Sequence, residues 1–312
     1  MRKIILLIAF SFISYFVFAQ KTLDKSFEGV KSLSINLASG DCTLKKGQSS
    51  TIEVHLQYTY SDDKFTPEFE QNGSKLTIKE KFKGSTSSGY SRWTITIPDG
   101  LSVKLNSGSG DLIASNLELE LKTNTGSGDI DISSSKGDIS INTGSGEVDI
   151  ENQSGNISIN SGSGDVTYEG EGKVSINVGS GDITLNNSKA DFSINTGSGD
   201  IRARNIILSG SSSFNTGSGN ATVELGASLD YSISINSGSG SSTLDFNNNE
   251  ISGLITMKAN KDRGDIEAPF SFDKTEEEGS GRDTVIIKTA KIGNKDIDIK
   301  VATGSGTAEI VK

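Results

Sequence analysis

A five-residue motif recurs at a nearly constant interval along the middle of this 312-residue chain: Asn, then Ser, Thr or Val, then Gly-Ser-Gly. Its copies begin at Asn106, Asn124, Asn142, Asn160, Asn177, Asn195, Asn215 and Asn236, in steps of 18, 18, 18, 17, 18, 20 and 21 residues. A repeat held near one period of this size indicates a single supersecondary unit stacked on itself. Each repeated residue would then belong to a row of identical groups.

One repeat, residues 128–145, shows how the unit is built. Apolar and polar residues alternate over 129–132 and again over 138–141, with a Ser/Lys-Gly stretch between them and the Asn142 motif after them. This pattern predicts two short strands and two glycine-bearing turns. The next repeats place apolar pairs in the same register: Val148/Ile150 with Ile157/Ile159, Val166/Tyr168 with Val174/Ile176, and Ile183/Leu185 with Phe192/Ile194. Four apolar side chains per repeat should therefore point into a narrow core.

Two all-β architectures satisfy this pattern, a parallel β-solenoid and an antiparallel meander. Three features favour the solenoid, which would be β-helix-like with about 18 residues and two short strands per rung. The two kinds of turn differ consistently, the period is held at 18, and the motif asparagines would form a ladder of amide hydrogen bonds only if each lies on its equivalent. Eight rungs at a spacing of about 4.8 Å would give a rod of roughly 40 Å.

The sequence predicts four segments. Residues 1–19 are a signal peptide, 20–100 a β-rich N-terminal capping region, 101–246 the regular solenoid, and 247–312 a β-rich C-terminal capping region continuous with it, because a solenoid needs caps at its ends. A run of glutamates, Glu276 to Glu278, predicts a solvated loop in the last segment. The chain closes with one further copy of the corner, Thr303 to Thr307.

Export is predicted from the N-terminus. Arg2 and Lys3 precede an apolar stretch that ends in Val17-Phe18-Ala19, a pattern typical of a secretory signal with its cleavage site. Removing it takes the formal charge from −10 to −12. The mature chain should carry no transmembrane segment, and its acidity excludes nucleic acid as a partner. The expected location is the periplasm, the outer-membrane surface or the extracellular space.

Three single residues are candidate sites. Cys42 occupies the place of an inward Ile in a copy of the corner, which favours a small buried side chain over a reactive thiol. His55, the only histidine, lies in an alternating strand without the partners that a metal or base site needs. Trp93 shares a strand face with Ile95 and Ile97, so packing is favoured over sugar stacking.

These residues also carry a resemblance. Ser39-Gly40-Asp41, the segment from Trp93 to Gly100, and the serial Gly-Ser-Gly-Asp-Ile corners resemble the bacterial putative-adhesin β-strand-repeat family over nearly all of the mature chain. The resemblance implies an exported β-solenoid of the envelope or surface and an adhesin assignment that rests on architecture. It implies no catalytic residues and no cofactor.

Acidic residues follow most corners and form the candidate metal site. The row consists of Asp111, Asp129, Glu147, Asp165, Asp182 and Asp200. The favoured interpretation is that each carboxylate accepts a backbone N–H of its own turn. The alternative is a row bridged by Ca²⁺, which prefers clustered oxygen ligands. The spacing differs by one residue from the calcium-binding β-roll pattern in every copy.

Serine rows and a glutamate pair complete the candidates. One serine row faces outward from the second strand of each repeat, beginning at Ser140 and Ser158, and another follows the corners from Ser109. Such hydroxyl arrays suggest ice binding as a further hypothesis, although ice-binding solenoids favour Thr over Ser. Glu169 and Glu171 are the candidates for a glycan-active enzyme, but the regularity of the repeats argues against a built active site.

The function predicted from the sequence is therefore that of an exported, non-catalytic β-solenoid of the bacterial cell envelope. It would be an adhesin or surface-binding protein without a cofactor, whose partner is a glycan, a matrix component or a protein, with self-association left open. The alternative is an envelope structural or signalling component without an adhesive ligand. A glycan-active enzyme, a Ca²⁺-binding solenoid and an ice-binding solenoid rank below both.

Overall fold

The computed structural model describes residues 20–84 and 89–312, and the predicted signal peptide lies outside this part of the chain. Regular structure in the described residues is β-strand, apart from one 3-10 turn at Gly281–Asp283. The predicted parallel solenoid is confirmed, because Ile130 pairs with Val148 of the next rung in parallel register rather than with Ile139 of its own. No helix in the described residues is long and apolar enough to cross a membrane.

The strands, in chain order, are β1 (Lys21–Phe27), β2 (Ser32–Leu37), β3 (Asp41–Lys46), β4 (Ile52–Tyr58), β5 (Phe65–Asn72), β6 (Lys75–Phe82), β7 (Ser91–Ile97), β8 (Leu101–Ser107), β9 (Leu112–Ser115), β10 (Leu119–Thr125), β11 (Ile130–Ser133), β12 (Ile139–Ser145), β13 (Val148–Ser163), β14 (Val166–Val178), β15 (Ile183–Asn186), β16 (Lys189–Thr196), β17 (Ile201–Leu208), β18 (Ser212–Thr216), β19 (Ala221–Leu225), β20 (Ile233–Ser237), β21 (Ser242–Asp245), β22 (Gly253–Asn260), β23 (Gly264–Glu267), β24 (Lys274–Glu278), β25 (Val285–Ile292), β26 (Asp298–Thr303) and β27 (Gly306–Val311).

Each rung contributes one strand to each of two facing parallel sheets. In the repeat region the first sheet contains β8, β10, β12, β16, β18 and β20, and the second contains β9, β11, β15, β17, β19 and β21. The long strands β13 and β14 take part in both. The apolar pairs predicted to face inward are all at most 3% exposed. Every rung therefore buries the same few apolar side chains between the two sheets.

Two corners close each rung. The first corner is the Gly-Ser-Gly turn from the first sheet to the second, and its length is constant. The second corner leads back to the first sheet and absorbs the variation in repeat length. At the 17-residue step the pairing shifts between Ile150 and Gln153, so that Gln153 lies beside Gly170. The regular second corner instead contains a residue in the left-handed conformation, as at Asn116, Ser134 and Asn152.

The N-terminal strands do not stack in chain order. The rung formed by β2 and β3 lies between the rung of β6 and β7 and the rung of β8 and β9. Beyond it, β5 pairs antiparallel with β6, and β4 pairs antiparallel with both β7 and β1. Aromatic contacts close this end, including stacked rings of Phe27 and Phe69 with centroids 5.7 Å apart.

The C-terminal end is interleaved in the same way. The last rung, β26 and β27, lies between the rung of β20 and β21 and that of β22 and β23. β25 and β24 then extend the first sheet antiparallel. The predicted loop at Glu276 to Glu278 is therefore wrong. These glutamates lie in the exposed edge strand β24, where Lys261 and Lys258 of the neighbouring region pair with Glu277 and Glu278.

Candidate functional site

The motif asparagines form a ladder at the end of the first sheet. Each side-chain Nδ2 donates to the Oδ1 of the asparagine in the preceding rung, at 2.8 to 3.3 Å, from Asn236 back to Asn106 and on to Asn36. The predicted ladder is confirmed. Asn36 was missed because the motif around it is degenerate, with Leu37-Ala38 in place of Thr-Gly.

The acidic row after the first corner is also a ladder, but its hydrogen bonds differ from the prediction. The carboxylate of Asp111 accepts the backbone N–H of Asp129 at 3.0 Å, and that of Asp129 accepts the N–H of Glu147 at 2.9 Å. The bonds from Asp165 through Asp182 to Asp200 follow the same pattern. A bond within the same turn is therefore the wrong interpretation: the carboxylate reaches the next rung, which in a stacked corner lies close to it.

One cation of the protein itself sits on this ladder. Arg202, which points outward from β17, contacts Asp182 at 2.6 Å and Asp200 at 2.5 Å. The hydrogen bond from Arg202 holds the pKa of Asp182 below its ordinary value. Further along the second sheet, desolvation and the neighbouring Asp131 raise the pKa of Asp149.

As for a metal, the six candidate residues lie one per rung along the row. At four of the five steps along the row, the carboxylate accepts the backbone N–H of the next residue in the row. In the residues that the structure describes, no group of three or more His, Cys, Asp or Glu side chains is arranged to hold an ion.

A groove runs parallel to the stack where the second corner meets the outer surface of the first sheet; we call it the axial groove. Three contiguous cavities of about 430, 480 and 570 Å³ form it, the first two sharing Glu120 and Asp138 and the last two sharing Lys173 and Ser175. It extends from the rung of Leu101 to that of Lys300. Nine rungs at a spacing of about 4.8 Å give it a length of roughly 38 Å.

The floor of the axial groove is the predicted outward serine row. Ser140, Ser158, Ser175, Ser193, Ser213 and Ser234 lie in direct register on successive rungs. Lys122 precedes this row, and Lys300, which the interleaved last rung brings beside Ser234, follows it. Lys300 could not have been assigned to the row from sequence spacing, since 66 residues separate it from Ser234.

The wall of the axial groove carries charged and amide side chains. Each groove lysine faces a carboxylate: Lys122 lies 2.8 Å from Glu120, Lys300 3.5 Å from Asp298, and Lys173 4.0 Å from Asp191. Asp138 accepts a hydrogen bond from Asn156 at 3.0 Å. The groove thus offers three pairs of opposite charges along its length and serine hydroxyl groups on six successive rungs.

The single residues behave as follows. Cys42 is 1% exposed between Trp93 and Leu112 of the adjacent rungs, and burial raises the pKa of its thiol. Trp93 is also 1% exposed, which confirms packing. His55 faces outward from β4 as predicted, and its Nδ1 lies 2.6 Å from Asp24. The structure thus gives each of the three a local packing or pairing role.

Glu169 and Glu171 flank Gly170 in β14, at the second corner. Glu169 accepts a hydrogen bond from Asn187 at 3.4 Å, and neither glutamate is among the residues that line the axial groove. The two carboxylates proposed for glycan chemistry therefore lie outside the lining of the axial groove.

Glu80 is an important residue that the sequence did not indicate. One of its carboxylate oxygens accepts the N–H groups of Ala38, Ser39 and Gly40 at 2.8 to 3.3 Å. The other accepts Trp93 Nε1–H at 2.9 Å and the hydroxyl of Ser91. Glu80, which lies in β6 of the adjacent rung, thereby supplies the hydrogen-bond acceptors for the N–H groups of this corner.

A family comparison agrees with this geometry. The Toastrack DUF4097 family model matches residues 30–263, three quarters of the chain. The chain belongs to this family. The match begins just before β2 of the Toastrack protein and ends just before β23, so it covers the repeat region, most of the N-terminal flank and the first part, residues 247–263, of the C-terminal flank. No curated protein sequence matches the chain.

Several solved structures are similar to this Toastrack chain. They include a "putative adhesin" from Bacteroides fragilis (13% identity, 94% of this chain and 97% of that one, TM-score 0.39) and a "putative lipid binding protein" from Parabacteroides distasonis (13%, 94% and 97%, TM-score 0.44). A "putative cell adhesion protein" from Clostridium sporogenes shares 15% identity over 94% of this chain and 99% of its own, with a TM-score of 0.28. Each of these descriptions applies to the solved protein and not to this chain.

Proposed function

We propose that this protein is exported and acts at the bacterial cell envelope as a non-catalytic binding rod that holds an elongated surface partner in the axial groove. The observation that carries the proposal is the continuity of that groove over about nine rungs. A compact substrate would need one enclosed pocket, whereas a groove of this length fits a partner that is itself extended.

The regularity of the rungs supports a binding role. Six successive rungs each offer one serine hydroxyl at the same register position, so that many weak contacts could add along one partner. An active site would need an acid and a base in differing environments, and the groove instead pairs its charges from one end to the other.

Protease shaving of intact cells tests the location. We expect this protein to be lost from shaved cells while a periplasmic marker is retained, since a surface partner requires exposure. Full protection of the protein, with release only after the outer membrane is opened, would contradict the surface role and favour the structural or signalling alternative.

A further inference from the structure

We propose that the ligand of the axial groove is an uncharged, linear polysaccharide lying parallel to the stack, one sugar ring to about each rung. The inference rests on the proposed function and names its ligand class. It follows from the spacing of the hydroxyls, the charge of the walls and the place of the aromatic rings.

The spacing of the floor separates a polysaccharide from a polypeptide. The serine hydroxyls repeat at the rung distance of about 4.8 Å, whereas side chains on one face of an extended peptide repeat at about 6.7 Å. A peptide would lose register with the row after two or three rungs. In an extended glycan, one ring advances the chain by close to one rung, so each ring meets the same serine environment. A peptide also could not bind by adding a strand to the sheet, because the strands that form the floor are already paired on both sides.

The charges of the walls select against a charged polymer. Glu120, Asp138, Asp191 and Asp298 outnumber Lys122, Lys173 and Lys300, and each of these lysines already faces a carboxylate. The chain as a whole is acidic, with a formal charge of −10, so a polyanion would be repelled. The carboxylates can also accept hydrogen bonds from the hydroxyl groups of a neutral sugar chain.

The burial of the aromatic ring near the groove determines how binding affinity should depend on the length of the ligand. Phe192 is the aromatic residue in the groove lining. It is only 1% exposed because its ring lies in the core, so it offers no surface on which a sugar ring could stack. Binding then depends on hydrogen bonds that are individually weak against water. Affinity must build up ring by ring, and only a chain that follows several rungs should be held.

The test uses the purified chain, residues 20–312, titrated with uncharged β- and α-linked glucan and mannan oligosaccharides of increasing length. We expect affinity to rise with each added ring until the oligomer spans the groove, at about eight rings. Ser158→Arg with Ser193→Arg fills the floor and should reduce affinity for the longest oligomer at least about tenfold. The matched control is Ser145→Arg with Ser180→Arg on the exposed first corner, which adds the same charge and bulk away from the groove.

The outcomes separate the ligand class from the binding role. Binding that is independent of length, that is unaffected by the floor variant, or that favours polygalacturonate or an extended peptide overturns the polysaccharide inference, as does the absence of binding to every uncharged oligomer. In parallel, binding of the protein to intact cells or isolated envelope is compared between the two variants. Envelope binding lost only in the floor variant keeps the proposed function even if the ligand class is wrong, whereas equal envelope binding in both removes the groove-binding role itself.

Discussion

At the scale of single residues, the repeated glycines are explained by the distance between rungs. A Cβ on Gly146 would lie 2.4 Å from the carbonyl oxygen of Gly128 in the rung below, and one on Gly144 would lie 2.5 Å from that of Gly126. No side chain fits there without a backbone shift. The glycines of the motif are therefore required by close packing of one corner on the next.

Gly146→Ala should destabilise the protein by about 2 kcal/mol or more, since the added methyl group forces two corners apart. Chemical denaturation followed by circular dichroism measures the change. Ser145→Ala is the control, because Ser145 is exposed on the same turn and its replacement should alter stability by less than about 0.5 kcal/mol. Equal midpoints for the two variants would contradict the packing argument.

The second corner contains a serine in a backbone conformation that this residue type disfavours. Ser134 has φ of 51°, a conformation in which Asn116 and Asn152 occupy the adjacent rungs at 57° and 52°. Asn adopts this left-handed conformation more readily than Ser. Ser134→Asn should therefore raise the unfolding free energy by about 0.5 kcal/mol, measured by thermal unfolding. Ser154→Asn, at an exposed position without positive φ, should give no gain, and a loss of stability in Ser134→Asn would sink the idea.

The Arg202 bridge makes a pH-dependent prediction at the same scale. Because Arg202 lowers the pKa of Asp182 in the folded state, the interaction stabilises the protein above the ordinary pKa of Asp and is lost as pH falls through the lower, folded value. Arg202→Met should move the pKa of Asp182 up towards its ordinary value, as measured by NMR titration. Arg204→Met, one outward residue further along β17, should leave it unchanged.

At the scale of elements, Glu80 provides hydrogen-bond acceptors near the N-terminal end of the stack. The N–H groups of an inner corner bond to the rung below, as Ser127 does to Gly108. The rung beneath the corner at Ala38 to Gly40 is that of β6 and β7, and the carboxylate of Glu80 in β6 supplies the acceptors for these N–H groups. Glu80 also accepts from the buried side chains of Trp93 and Ser91, and buried donors without acceptors are costly, so this half-buried residue acts as a structural cap for the first corner.

Glu80→Gln should cost about 2 kcal/mol, because the amide keeps one acceptor and turns an N–H₂ group towards donors. The loss should appear in denaturant unfolding followed by the fluorescence of Trp93, the only tryptophan, which donates to Glu80. Glu70→Gln serves as the control, since Glu70 lies exposed on the same cap, 3.8 Å from Lys79. A cost shared equally by both variants would indicate a general charge effect instead of a cap.

How far the sequence predicts these elements depends on whether they repeat. The ladder at Asn142 and the core pair Ile130 and Ile132 follow from period alone, because each position meets its own equivalent in the next rung. Glu80 meets residues some 40 positions earlier in a segment without period, so no spacing points to it. The position of Lys300 at the end of the groove floor could not be predicted for the same reason: the strands of the C-terminal cap separate it in sequence from its neighbour Ser234.

At the scale of the whole molecule, the order of rungs in space differs from their order in the chain at both ends. The last strands, β26 and β27, are hydrogen-bonded on one side to β20 and β21 and on the other to β22 and β23. The end of the chain is therefore an interior rung of the solenoid. The physical end of the first sheet is β24, which pairs with β25 alone and is exposed at every residue.

This interleaving predicts an unusual pattern of native-state hydrogen exchange. Chain termini usually fray, and exchange in a solenoid is expected to begin at the outermost rung. Here β26 and β27 can open only after contacts on both sides are broken, so their amides should be protected as well as those of β12 in the middle of the stack. β24 should exchange first. Peptide-resolved mass spectrometry of the folded protein measures both, and exchange that begins at residues 298–311 and spreads inwards would contradict the interior position of the last rung.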